Sequence, residues 1–305
     1  MQFNSIRLIG YGEVGKIFSA GLQSRPGVSA VGAWDLKFSS TSVGVQERAH
    51  AAQADVAAYT SARALCEASG VGTLMISAVT ASNTLAVAEA AAQHLQPGSV
   101  FLDLNSASPG TKQRCAVLIE ACGAHYVEAG VMTSVPPYGI KTPMLLGGPL
   151  AAGLAVLCSN WGMDVKAVSE KIGVASAIKM CRSVMIKGLE ALVIESYTTA
   201  RAYGVEAHVL PTLAETFPSI DWASTGGYFF SRVVQHGQRR AEEMCESANM
   251  VREAGFEPVM AAAIAAKQQW VADQAKAGVF ESVAHGAPWQ DYADQLIAAR
   301  PTGTL

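Results

Sequence analysis

The sequence feature that most constrains the fold is a glycine triplet near the beginning of the chain. In IRLIGYGEVGKIFSAGL, Gly10, Gly12 and Gly15 have the spacing G-x-G-x-x-G, directly after a predicted strand and at the start of a predicted helix. The first glycine permits a tight turn, the second lets the backbone approach a pyrophosphate, and the third lets helix and strand pack closely. Taken alone, the triplet also fits a turn that binds nothing.

The end of the next predicted strand, VSAVGAWD, decides between these interpretations. It places Asp35 twenty residues after Gly15, where a carboxylate accepts hydrogen bonds from the ribose hydroxyls of a dinucleotide. The pattern therefore predicts a nicotinamide dinucleotide site, with NAD as the cofactor because a carboxylate repels the 2′-phosphate of NADP. NADP remains the alternative, since Lys37, Ser39 and Ser40 follow and could hold that phosphate. The expected cofactor contacts are Gly10, Tyr11, Gly12, Glu13, Val14, Gly15, Asp35, Lys37, Val79 and Thr80.

The order of predicted elements extends this unit to a whole fold. Up to about residue 168, short β-rich runs alternate with Ala-rich helical runs, which is typical of an α/β fold with a doubly wound, mostly parallel sheet. A helix of nearly thirty residues is predicted between Gly173 and Gly204, and beyond it the strand patterns disappear. We predict an NAD(P)-binding Rossmann domain (1–170), an interdomain helix (171–204) and an all-helical C-terminal domain for substrate and dimer contacts (205–305).

Composition excludes several classes of partner. The chain has 305 residues and a net charge of only −3, which favours neither a nucleic acid nor an anionic membrane surface as partner and points to a small-molecule substrate. The six cysteines form no C-x-x-C pair, as expected in a reducing cytoplasm. No secretory signal pattern is recognisable, and no uncharged apolar run approaches the ~18 residues of a membrane helix. The histidines lack metal-ligand spacing, so no obligatory metal is expected.

Four segments together carry a family resemblance. They are the glycine motif, LDLNSASPGTKQR, YVEAGVMTSVPPYGIKTPMLLGG and the long helix with Lys179. With them the chain resembles the β-hydroxyacid dehydrogenase superfamily, which includes 3-hydroxyisobutyrate and 6-phosphogluconate dehydrogenases. The C-terminal part is similar to a phosphogluconate dehydrogenase-like branch with its own C-terminal domain. The resemblance implies a homodimer formed through the helical domain.

The resemblance also implies a catalytic lysine. The family pattern G-x-x-G-x-x-x-K-x-x-x-N is resembled by GVASAIKMCRS, which supplies Gly173 and Lys179, whereas Ser183 replaces the usual Asn. Glu128 and Met132 likewise stand where the family has Asp and a substrate-binding Ser. A lysine partly removed from water has a lowered pKa and can take the proton of an alcohol while a nicotinamide takes the hydride. A lysine extending along the helix to solvent is the alternative.

The remaining predicted contacts follow from the resemblance and from the neighbouring loops. Asn105 is expected near the nicotinamide or its ribose. The expected substrate contacts are Ser106, Ser108, Thr133, Ser134, Ser183, His236 and Arg240. Ser108 before Pro109 also fits a helix N-cap, and nearby glutamates could instead neutralise Arg239 and Arg240 as surface pairs. Lys187 is expected at a domain interface or the surface, and Arg182 in a structural ion pair.

These observations predict an NAD(P)-dependent oxidoreductase that oxidises a small hydroxy-carboxylate, such as a sugar acid, with Lys179 as general base and acid. Two alternatives stay open. One is an imine or keto-acid reductase on the same scaffold, and the other is a protein that binds NAD(P) without turnover. The lysine at position 179 favours alcohol chemistry, because reduction of an imine needs a proton donor to nitrogen and commonly uses another residue.

Overall fold

The computed structural model describes residues 1–40 and 42–300. It consists of two compact units, Met1–Met180 and Cys181–Leu305, and the second is described up to residue 300. Each unit has its own hydrophobic core. The division falls inside a long helix, so the predicted three-part boundaries at residues 170 and 204 stay a prediction.

The first unit is built on one sheet of eight strands in the order β3-β2-β1-β4-β5-β6-β7-β8. The strands are β1 (Ser5–Ile9), β2 (Ala30–Trp34), β3 (Ala57–Ala58), β4 (Thr73–Ser77), β5 (Val100–Asp103), β6 (His125–Val131), β7 (Met144–Gly147) and β8 (Val165–Ser169). All neighbours run parallel except β6 and β7, which are antiparallel. The predicted α/β class is confirmed, whereas β3 and β8 were not predicted, because one is two residues long and the other carries a lysine between half-buried residues.

Helices cover both faces of this sheet. They are α1 (Glu13–Leu22), α2 (Val43–Gln53), α3 (Ala62–Glu67), α4 (Thr84–Ala92), α5 (Pro109–Ala121) and α6 (Ala151–Asn160). Successive strand residues point to opposite faces. Accordingly, Leu74 and Ile76 of β4 pack with side chains of α1, α2 and α6, while Met75 between them packs with side chains of α3, α4 and α5. Burial on both sides explains why the central strands are apolar runs rather than alternating patterns.

The second unit is helical: no strand occurs between residues 181 and 300. Its helices are the larger part of α7 (Val174–Tyr203), then α8 (Glu206–Thr216), α9 (Trp222–Glu253), α10 (Val259–Lys276) and α11 (Trp289–Ala298). The long helix predicted between Gly173 and Gly204 is confirmed. It ends at Gly204, whose φ of +67° is a conformation that terminates helices and favours glycine.

Candidate active site

The predicted site loops follow five neighbouring parallel strands. Because β2, β1, β4, β5 and β6 run in one direction, their carboxyl ends lie at the same edge of the sheet. In that spatial order, the loops contain residues 35–37, 10–15, 79–80, 105–108 and 132–134. The strand order reverses between β1 and β4, and open α/β sheets bind ligands in the crevice at such a switch point.

The three glycines of the first loop have different surroundings. Gly10 has a φ of +99°, and a Cβ there would lie 2.3 Å from the Ala78 carbonyl oxygen across the switch point. A Cβ on Gly15 would lie 2.1 Å from the carbonyl oxygen of Gly10, so both glycines are required by the fold itself. A Cβ on Gly12, by contrast, would meet no other part of the protein within 4 Å. That glycine leaves open space at the N-terminus of α1, where no side chain caps the helix and a phosphate would be favoured.

Asp35 joins the end of β2 to the glycine loop. Its carboxylate accepts hydrogen bonds from the backbone N–H of Tyr11 at 2.7 Å and from that of Lys37 at 2.8 Å. The Tyr11 ring is buried, its hydroxyl lies 3.2 Å from Nδ1 of His50, and burial raises its pKa. The carboxylate thus lies beside the open space at Gly12, while the Lys37 side chain is exposed. Of the other predicted contacts, Glu13 and Thr80 are exposed.

Asn105 holds two neighbouring strands together. Its Oδ1 accepts from the backbone N–H of Val79 at 2.7 Å, and its Nδ2 donates to the Ser77 hydroxyl at 2.9 Å. The side chain is buried, so its amide shapes the loop after β4 from behind. In this structure the Asn105 amide is used by the protein, and a contact with the cofactor stays a prediction.

Lys179 and Ser106 meet at the end of β5. The Lys179 ammonium donates a hydrogen bond to the Ser106 hydroxyl, and both side chains are half-buried. A glycine on β6 permits this approach, since a Cβ on Gly130 would lie 2.9 Å from the carbonyl oxygen of Ala175 and 3.4 Å from Cβ of Lys179. The first turns of α7 therefore pack directly on the backbone of β6. The result is an amine beside a hydroxyl, two strands away from the glycine loop.

A buried glutamate, which the sequence identified only as a departure from the family motif, lies beneath the start of α7. The Oε1 of Glu128 accepts from the backbone N–H groups of Gly173 at 2.7 Å and Ala175 at 3.0 Å, and its other oxygen accepts from the Ser176 hydroxyl. A negative charge is favourable at a helix N-terminus. Its signal in the sequence was a charged residue inside the apolar strand HYVEAGV, because a buried carboxylate needs partners.

A second buried group supports the loop that carries Ser106. Asp103 pairs with Lys112 at 2.9 Å and accepts from the Tyr126 hydroxyl at 2.6 Å, and all three side chains are fully enclosed. Asp103 also accepts from the backbone N–H of Asn105 at 2.8 Å. Burial, reinforced by the Asp103 carboxylate, raises the pKa of Tyr126 well above its usual value. None of the three was predicted as a site residue.

The predicted substrate contacts Ser108, Thr133 and Ser134 differ in accessibility. Ser108 is 0% exposed and caps α5, its hydroxyl accepting from the backbone N–H of Thr111 at 3.2 Å. The N-cap alternative is confirmed, and a fully buried hydroxyl offers a substrate no surface. Thr133 is exposed and Ser134 half-buried in the loop after β6. Their contact with a substrate stays a prediction.

In the second unit, the structure separates the predicted residues. His236 is exposed on α9 and Ser183 is half-buried on α7. Arg240 is only 5% exposed and forms an ion pair with the equally buried Glu190, so its guanidinium is directed into the helical core and not to a substrate. A surface position for Lys187 is wrong, because this side chain is 6% exposed and pairs with Glu243 at 2.5 Å.

Two further features of the described chain concern metal sites and membrane-spanning helices. Among residues 1–40 and 42–300, no group of three or more His, Cys, Asp or Glu side chains is arranged to hold a metal ion. None of the helices described there combines the length and apolar character needed to span a lipid bilayer.

Comparison with known proteins gives the family. Residues 5–149 match the NAD binding domain of 6-phosphogluconate dehydrogenase, and residues 200–271 match a domain of unknown function, DUF1932. A conserved hypothetical protein from Sinorhizobium meliloti 1021 is 34% identical, with a TM-score of 0.76 over 98% of this chain and 97% of that chain. The chain belongs to the β-hydroxyacid dehydrogenase superfamily. The resemblance found in its motifs is thereby confirmed.

Other solved members of this superfamily fold are less similar. The conserved protein MTH1747, described as of unknown function and structurally similar to 3-hydroxyacid dehydrogenases, is 29% identical, with a TM-score of 0.66 over 90% of this chain and 98% of that one. A 3-hydroxyisobutyrate dehydrogenase from Mycobacterium tuberculosis (14% identity, TM-score 0.64, 98% and 100% covered) and a reductive aminase from Aspergillus terreus (17%, 0.55, 97% and 100%) share the fold. The chain therefore has the fold of an NAD-binding, hydroxyacid dehydrogenase-like oxidoreductase.

Proposed function

We propose that the protein is an NAD(P)-dependent dehydrogenase that oxidises the alcohol of a small hydroxy-carboxylate, such as a sugar acid. The observation that carries the proposal is the Lys179 ammonium against the Ser106 hydroxyl, at the edge of the sheet that also bears the glycine loop. Alcohol oxidation needs a proton acceptor beside a hydride acceptor. Lys179 is the only side chain that we assign to the first task.

The first unit suits a dinucleotide. The open space at Gly12, the uncapped N-terminus of α1 and the Asp35 carboxylate are the groups that would hold its pyrophosphate and ribose. The bound nicotinamide would supply the hydride acceptor. We infer that NAD is preferred over NADP, because a 2′-phosphate would meet the carboxylate of Asp35, whereas Lys37 is the one nearby cation that we expect to favour NADP.

The chain's own residues would handle the proton. In its neutral form Lys179 accepts the hydroxyl proton at Nζ, and in the reverse direction its ammonium returns that proton to the carbonyl oxygen. The Ser106 hydroxyl, which accepts from Lys179 in the structure, is free to rotate and hold the substrate oxygen in the same place. Thr133 and Ser134, after β6, would bind the rest of the substrate.

A second candidate function is reduction of an imine or a keto acid. It is supported by the fold shared with the Aspergillus terreus reductive aminase, whose solved complex contains NADPH4, at 17% identity. We take Lys179 as support for the alcohol, because reduction of an imine commonly uses another residue as proton donor and the Ser106 hydroxyl beside Lys179 suits an oxygen substrate. Binding of NAD(P) without turnover is the third candidate; a solvent-facing Lys179 would support it, and we take the contact of Lys179 with Ser106 as support for turnover instead.

A turnover screen tests these candidates against one another. Hydroxy acids and aldonates would be offered with NAD and with NADP, and imines and keto acids with the reduced cofactors, while the nicotinamide absorbance is followed. We expect turnover of a hydroxy acid and a higher kcat/KM with NAD. Turnover of imines alone would favour the second candidate, and cofactor binding without any turnover would favour the third.

We also propose a cytoplasmic homodimer, associated through the helical unit. Large apolar side chains are exposed on that unit, including Met185 at 73% and Phe256 at 72%. Where such side chains form a contiguous patch, they mark an interaction site. Light scattering of the purified protein would give the mass, and a monomer would contradict the proposal.

A further inference from the structure

We propose that Glu128 is a positioning residue that sets Lys179 against Ser106. This inference rests on the function proposed for Lys179. Glu128 is not offered as a group that touches substrate, because it is fully buried beneath α7. Its role is to determine where the helix that carries the lysine begins.

The carboxylate of Glu128 accepts three hydrogen bonds from the start of α7. Gly173, Ala175 and Ser176 surround one carboxylate, and all of them belong to the first turn of α7 or directly precede it. The first N–H groups of a helix have no partner inside the helix. Here a single side chain from β6 accepts from two backbone N–H groups, those of Gly173 and Ala175, so the start of α7 is bound to one strand residue.

Lys179 lies close to the cap that Glu128 forms at the start of α7. Lys179 follows Ala175 by one helical turn and lies on the same side of α7. Gly130 follows Glu128 by two residues and therefore points to the same face of β6, where its missing side chain admits Ala175 and Lys179. The strand thus holds the helix at two successive points, which leaves α7 little freedom to slide or rotate at the lysine.

The missing side chain of Gly147 leaves the space that the Glu128 carboxylate occupies. Glu128 is paired in register with Gly147 on the antiparallel strand β7. A Cβ on Gly147 would lie 2.4 Å from Oε1 and 3.0 Å from Cγ of Glu128. A glycine is thus needed opposite a glutamate, and any larger residue would push the carboxylate off the helix. An aspartate at 128 would be one methylene too short to reach the same donors.

We expect the length of the side chain at position 128 to matter more for the position of Lys179 than its charge. In Glu128→Gln the amide oxygen can accept from both N–H groups while the amide nitrogen donates to Ser176, so the position is kept without the charge. Glu128→Asp keeps the charge without the reach, and Gly147→Ala displaces the unaltered glutamate. Ser61→Ala is the matched control, because Ser61 caps α3 through the Ala64 N–H at 3.0 Å, away from the proposed site.

The kinetic test compares kcat, KM and cofactor affinity across these variants. We expect Glu128→Asp and Gly147→Ala to lose about 10²-fold in kcat, the effect of misplacing a reacting group by about 1 Å, with the Kd for the cofactor unchanged. Glu128→Gln should lose less than about tenfold, since a neutral acceptor still satisfies the donors. Ser61→Ala should lower the Tm without changing kcat. Equal losses in Glu128→Gln and Glu128→Asp would overturn the inference.

A second measurement does not need a substrate. Lysine labelled at its side-chain nitrogen gives an NMR signal for Lys179, assigned by its loss in Lys179→Arg. Ser106→Ala should shift that signal in the natural protein but not in Gly147→Ala, where the contact is already lost. A signal unaffected by Gly147→Ala, in a protein with the natural circular dichroism spectrum, would overturn the role of Glu128. Absence of turnover in the natural protein would count against the proposed function and leave this measurement decisive.

Discussion

Lys179 and Lys187 lie eight residues apart on α7 and have opposite surroundings. Lys179, in the first unit, is half-buried and donates to the neutral hydroxyl of Ser106. Lys187, in the second unit, is buried and pairs with the Glu243 carboxylate; burial lowers its pKa, and Glu243 opposes that shift. One helix thus carries the amine that we propose as proton carrier and a second amine that is paired inside the helical unit.

The second unit contains another buried ion pair like that of Lys187 and Glu243. Arg240 of α9 pairs with Glu190 of α7, and the amide of Gln268 on α10 lies 3.4 Å from the Lys187 carbonyl oxygen and 3.5 Å from the Glu190 carboxylate. Buried ion pairs contribute little net stability but cost much when one partner is lost. We therefore expect them to act mainly by specifying how α7, α9 and α10 pack.

The largest expected effects come from replacing each of the two lysines with alanine, which tests whether their roles differ. We expect Lys179→Ala to lower kcat by about 10²–10⁴-fold, the usual contribution of a positioned acid or base, with cofactor affinity and Tm nearly unchanged. Lys187→Ala should instead lower the Tm, since it removes a buried ammonium that pairs with Glu243 at 2.5 Å. Steady-state kinetics and thermal unfolding measure both. A Lys179→Ala variant with full turnover would remove the distinction.

A smaller effect should follow from dividing the second buried pair. Arg240→Ala leaves the Glu190 carboxylate buried without its partner, and we expect a loss of about 3–5 kcal/mol in the free energy of unfolding. Replacing both residues, Arg240→Met with Glu190→Leu, should recover most of it, because the pair itself adds little. Urea unfolding of the helical unit measures each value. If the single variant lost less than the double variant, the pair would not be buried as described.

The smallest effect concerns alkaline pH. Burial raises the pKa of Tyr197 to about 12, and its hydroxyl donates to the Trp222 carbonyl oxygen at 3.1 Å. The unfolded chain releases this proton near its ordinary value, so stability should fall by up to about 1.4 kcal/mol per pH unit between that pH and about 12. Tyr197→Phe removes the group, and its unfolding free energy should decline less steeply over this range. An unchanged slope would show that other groups cause the decline.

The sequence predicted a structural element correctly where the residues that specify it lie within one short segment. The spacing of Gly10, Gly12 and Gly15 predicted a strand, a turn and a helix, and Ser108 before Pro109 predicted the cap of α5. The helix from Val174 to Tyr203 was predicted because its apolar content is unbroken and glycines flank it. Strands β3 and β8 were missed, since too few of their residues are apolar and buried.

By itself, the sequence determined the α/β and helical halves, the nucleotide loop and the superfamily, because each depends on neighbouring residues whose spacing reflects one turn, strand or helix. Only the tertiary structure decided what each charge does. Glu128 meets Ser176, Lys187 meets Glu243 and Arg240 meets Glu190 across about fifty residues of chain. Burial and partners set the behaviour of an ionisable group, and both come from segments that only the fold brings together.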